Sequence, residues 1–66
     1  MDILDLFWSN VFWHIENKGL KEENIIGKSY CILAHNRTYN PSLKTAQRIA
    51  KKLDIDDYAI LFERVE

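Results

Sequence analysis

The chain has 66 residues, 47% hydrophobic and 29% charged, a balance that excludes a disordered or low-complexity segment and allows one domain. A domain this short removes only about 60% of its unfolded surface from water, so its core is small and association with a second copy would add to stability. Nine Lys and Arg against ten Asp and Glu give a net charge of -1, so any surface that attracts a polyanion must be local.

At about 100° per residue, Leu4, Phe7, Trp8, Val11, Phe12 and Ile15 share one face, which predicts a helix over residues 3–17 with Asp2 as N-cap and "KG" at Lys18 and Gly19 as its stop. Asp2, Asp5, Asn10 and His14 interrupt this apolar stretch and no basic segment precedes it, so it reads as neither signal peptide nor membrane span. Leu6, Asn10 and Trp13 form a second stripe on this helix, which either meets a partner or lets Trp13 pack under the last helix.

"LKEENII" allows a short helix over residues 20–26, ended by Gly27. Ser29 then stands where it can cap another short helix over residues 30–36, "YCILAHN". "RTYNP" is turn chemistry, since Asn40 before Pro41 is held out of the helical region. Ser42 caps the next predicted helix, residues 43–53, in which Leu43, Ala46, Ile49, Ala50 and Leu53 make the apolar face and Lys44, Arg48, Lys51 and Lys52 the others. After "DID", Asp56 is the expected cap of a last helix over residues 57–63. No segment alternates with period two for long enough to make a strand. The expected fold class is all-α, a compact domain of five helices.

Cys31 alone rules out an intramolecular disulfide, and with His14 and His35 it falls short of a structural zinc site. It reads as a small inert hydrophobe rather than a redox switch. There is no Gly-rich phosphate loop, nucleophile elbow or HExxH, and the carboxylates read as caps and solvated surface. The chain is therefore expected to be no enzyme, with no cofactor and no small-molecule substrate. A cytoplasmic location is expected.

Two short helices across a glycine turn make a helix-turn-helix pattern, which alone is weak. Three segments, however, "ENKGLKEENI", "IGKS" and "NPSLKTAQRIAKKLDI", resemble in that order segments of the Cro/repressor-type helix-turn-helix family of five-helix DNA-binding domains, found in phage repressors and bacterial regulators. The resemblance spans about residues 7–62, nearly the whole chain. It implies a lambda-repressor-like fold, a phage or prophage source, and a recognition helix at residues 30–36 lying in the major groove of a double-stranded operator.

On that reading Leu33 points to the core while Ser29, Tyr30, Ala34 and Arg37 face outward. Tyr30 and Arg37 would reach base edges or phosphates, Ala34 a thymine methyl, and Lys28 a phosphate, with His35 as a neutral or cationic donor. Asn40, the amides after Ser42, and Lys44 would hold further phosphates. A homodimer on a palindromic site is expected, with Leu6, Trp13 or Leu61 at its interface. The chain departs from the family at Glu22, where Gln is usual, and in the interval from Gly19 to Pro41, which is several residues short. The rival reading is a protein-binding module, an anti-repressor or inhibitor of another regulator, that keeps the fold; net acidity and Glu22–Glu23 favour it.

Overall fold

The computed structural model describes residues 2–63. Helix α1, Ile3–Lys18, is the longest element and begins at Asp2, whose backbone carbonyl accepts the Leu6 N–H at 3.0 Å although its side chain makes no cap bond. It ends where predicted. Gly19 takes a left-handed φ of 65°, and Leu20 N–H returns to Ile15 O at 3.0 Å.

The next elements are shorter than the sequence suggested. Helix α2, Glu22–Ile25, is a single turn. Gly27, at φ 105°, turns the chain into a 3-10 segment, Lys28–Tyr30, that leads straight into α3, Cys31–His35. Ser29 lies within that 3-10 segment rather than capping a helix. The backbone sets the truncation: Lys21 is extended at the start and Gly27 turns the chain at the end, so one turn forms between them.

Helix α4, Leu43–Lys52, is closed at its start by Ser42 Oγ, which accepts the Thr45 N–H at 3.1 Å. Asp54 follows its end in the left-handed region, φ 62°. Among the described residues there are four α-helices, not five. The expected last helix is a 3-10 helix, Tyr58–Phe62, capped by Asp57 rather than Asp56: the Asp57 carboxylate accepts the Ala59 N–H at 3.0 Å. The reason is visible in its carbonyls. Asn10 Nδ2 donates to the oxygens of Leu61, at 2.7 Å, and Glu63, so these groups are held by α1 rather than by further turns of helix.

Phe7, Trp8, Val11 and Ile15 of α1 form the centre of the core, closed by Ile25 and Ile26, Ala34 of α3, Ala46, Ile49 and Ala50 of α4, and Leu53, Ile55 and Leu61 beyond it. The Cα radius of gyration, 10.6 Å, is what about 11 Å for a compact domain of this length leads one to expect. No strand is found among the described residues, so the all-α class holds. No described helix is long and apolar enough to cross a membrane.

Asn10 belongs to this core and not to an open stripe with Leu6 and Trp13: it is the buried polar side chain whose amide secures the C-terminal 3-10 helix. Replacing it with Ala removes those bonds and strands a buried carbonyl, at a cost of about 1–3 kcal/mol. Urea unfolding followed by tryptophan fluorescence should show a lower midpoint at unchanged slope; an unchanged midpoint would mean that Leu61 and Phe62 hold the segment by packing alone.

Candidate nucleic-acid interface

The segment from Glu22 to His35 presents two short helices joined through Gly27 and anchored from both ends: Ile25 and Ile26 on one side, Ala34 on the other, are buried against α1. With one turn each, α2 and α3 bury little area themselves. Their outward surface is correspondingly large. Lys28, Ser29, Tyr30, His35, Asn40 and Lys44, all expected at the interface, are exposed.

Ala34 is different. It is fully buried, so it packs α3 onto the domain and has no route to a thymine methyl. Leu33, expected in the core, is exposed, and Ile32 is 74% exposed. The sequence reading had rotated α3 because it started the helix at residue 30; the 3-10 segment before Cys31 shifts the face that meets the core onto Ala34. The outward apolar side chains of α3 are thus Ile32 and Leu33.

Tyr30 is half exposed, and its ring stacks on Tyr39 at 4.8 Å and 17°. Tyr39 stacks in turn on Trp8 at 5.4 Å, and its carbonyl accepts the Trp8 indole N–H at 2.8 Å. These rings fix the start of α3 against the loop that leads to α4. Asn40, Ser42 and Lys44 follow directly in that loop and helix.

Arg37 is built into the fold. Its backbone is left-handed, φ 60°, and its guanidinium donates to Asp5 Oδ1 at 3.1 Å, Ser9 Oγ at 3.2 Å, Ala34 O at 3.2 Å and His35 O at 3.0 Å. The cation also lies over the Phe12 ring at 5.4 Å. Four bonds from one fork of donors close the C-terminal end of α3 onto α1. Asp5 and Ser9 stand one turn apart on α1, and nothing local in the sequence marks them as the receiver of Arg37.

Glu22 pairs with His35, whose Nε2 lies 2.9 Å from Oε1, and His35 stacks on Phe12 at 4.2 Å. The carboxylate that departs from the family pattern is therefore held across the turn by the third helix. Cys31, half-buried, donates its thiol to Gly27 O at 3.3 Å. Burial, and then the nearby Glu22 and Glu23, push its pKa up, so it stays a thiol.

Three residues were expected at a partner surface. Leu61 is fully buried and Leu6 half-buried, while Trp13 is 45% exposed, its ring edge-on to His14 at 4.9 Å. Partial burial, and then Lys18, hold the His14 pKa below its ordinary value. No cluster of metal-ligating side chains exists among the described residues.

Sequence reasoning gave no site role to Arg48 and Lys51. Both are exposed with Lys44 on the face of α4 opposite its buried Ala46, Ile49 and Ala50, and none of the three meets a carboxylate at ion-pair distance among the described residues. The signal was a ten-residue helix with no acid in it.

No protein family model matches the chain, and neither does any curated protein or solved structure.

Arg37→Ala should lower stability by about 1–3 kcal/mol, since it leaves the His35 carbonyl and the Asp5 carboxylate without their partner, while Ala34 O keeps the backbone N–H of position 37. A thermal melt reads it, and an unchanged melting temperature would show the clamp to be idle. The Cys31 thiol should react with a disulfide reagent at neutral pH more slowly than free cysteine does; a faster reaction would contradict its burial and acidic surroundings.

Proposed function

We propose that the chain is a sequence-specific double-stranded DNA-binding regulator of the Cro/repressor type, with α2 and α3 as a shortened helix-turn-helix and α3 entering the major groove. The observation that carries this reading is the outward face of the α2–α3 unit, where Lys28, Ser29 and Tyr30 stand exposed at the start of α3 and the Tyr30–Tyr39 stack ties them to the start of α4 at Lys44. In this arrangement Lys28 and Lys44 hold phosphates, the Tyr30 hydroxyl reaches a base edge or phosphate, and Ile32 and Leu33 take the apolar contacts once assigned to Ala34. Arg37 acts indirectly, by fixing α3, and Asn40 contributes a neutral donor.

A phage or prophage origin rests on the resemblance, and a cytoplasmic location on the lone Cys31 and the absence of a signal-like segment from the sequence. A homodimer would place two copies of α3 about one DNA turn apart on a palindromic operator. Of the three residues expected to support it, Trp13 is the exposed one.

The second reading, a protein-binding module such as an anti-repressor or inhibitor that retains the helix-turn-helix, is favoured by one observation. Ile32, Leu33 and Trp13 are exposed, and Glu23 lies on the same unit as α3. The DNA reading is preferred because the exposed lysines bracket α3 and the carboxylate that faces it, Glu22, is paired with His35.

Fluorescence anisotropy with a random-sequence duplex separates the two. Binding that weakens steeply from low to physiological salt supports the DNA reading, and no binding at low salt overturns it. Tyr30→Phe keeps the ring stack and removes the hydroxyl, so it should lower the ratio of selected-site to random-site affinity by about tenfold without changing the fold, the size of one lost base contact. An unchanged ratio would remove Tyr30 from the recognition set.

A further inference from the structure

Helix α4 carries Lys44, Arg48, Lys51 and Lys52 and no acid, so its charge is +4 while the other residues sum to -5 (from -1 for the whole chain). At 100° per residue Lys44, Arg48 and Lys51 fall within about 60° of one another, directly opposite the buried face. With a rise of about 1.5 Å per residue they span about 10 Å along the axis.

Lys52 is the cation engaged within the domain. Its ammonium lies 3.4 Å from Asn24 O of α2. Arg48 precedes Lys52 by one turn, and Lys44 begins the row in the first turn of α4, after the loop that holds Tyr39. The row thus runs from the start of α4 toward the α2–α3 unit. Lys51, in the last turn, suits the helix dipole, but Arg48 in mid-helix gains nothing from it and Lys44 in the first turn opposes it, while the helix itself is stabilised by its buried face and by the Ser42 cap.

We propose that the Lys44–Arg48–Lys51 row is the principal phosphate-contacting surface of the protein, which tracks one strand of duplex DNA and supplies the sequence-independent part of its affinity. This rests on the DNA-binding reading. The occupant follows from charge complementarity, because a local row of three cations with no carboxylate at ion-pair distance among the described residues complements the regular row of phosphates along a DNA strand.

The test compares the parent with the double variant Arg48→Gln/Lys51→Gln on a random-sequence duplex across a range of salt. Gln suits an exposed helix position about as well as Arg or Lys, so circular dichroism should show the same fold. A charge-matched control, Asn17→Glu/Ala59→Glu, changes net charge equally at exposed positions on other elements. The slope of log affinity against log salt should become shallower by about 1.8 in the double variant, 0.9 for each cation, and hold in the control. An unchanged slope in the double variant, or an equal loss in the control, overturns the row while leaving DNA binding in place. A parent that ignores duplex DNA but binds polyglutamate overturns both, in favour of an acidic protein partner.

Discussion

Burial of the Trp8 indole is the constraint on which the rest of this small domain depends. A tryptophan fully removed from water needs a partner for its N–H, and here that partner is the carbonyl of Tyr39, 31 residues away. One bond therefore ties the middle of α1 to the loop between α3 and α4. The same loop residue stacks its ring on Trp8 and on Tyr30, so the start of α3 and the approach to α4 are set relative to α1 by one aromatic column. A core of this size has few large groups, and losing the column would release both ends of the candidate interface together.

Around that column the short helices are secured by side chains rather than by their own length. Helices of four and five residues are not stable by themselves. Arg37 closes the C-terminal end of α3 onto Asp5 and Ser9, His35 reaches back to Glu22, and Ala34 lets α3 sit close to the core. This explains how the unit tolerates a shortened turn, and why a residue that a surface reading places on DNA is engaged inside the domain. The left-handed backbone at Arg37 is part of the same device, since it brings the side chain back under the helix it has just left.

The long elements were legible in the sequence and the short ones only in outline. α1 and α4 carry enough apolar residues at helical spacing, and a clear stop or cap in Gly19 or Ser42, to be placed within a residue at either end. In α3, five residues carry no periodicity that can fix a rotation, and after the 3-10 segment Lys28–Tyr30 it is Ala34, not Leu33, that meets the core. The last element hid its type because Asn10, apparently on an outer stripe of α1, takes its carbonyls; no local pattern announces a contact across more than fifty residues. Leu61 left the candidate interface for the same reason. At the site, exposure of Lys28, Tyr30 and Lys44 followed from the sequence, whereas the engagement of Arg37 and the freedom of Arg48 and Lys51 depend on which partners the fold brings within reach.

The distribution of cations gives the surface its direction. Lys18, in the last turn of α1, donates to Leu53 O at the end of α4. Lys52 reaches Asn24 O on α2, and Arg37 closes the end of α3. Each of these cations caps or braces backbone, and in doing so holds one short element to another. Lys28, Lys44, Arg48 and Lys51 have no such role among the described residues, while most of the acidic residues lie outside α4 at helix starts, at the turn after α4 and on α2. A chain of nearly zero net charge can therefore carry a local positive field on one helix, because its cations are divided between those that hold the fold and those that the fold leaves free.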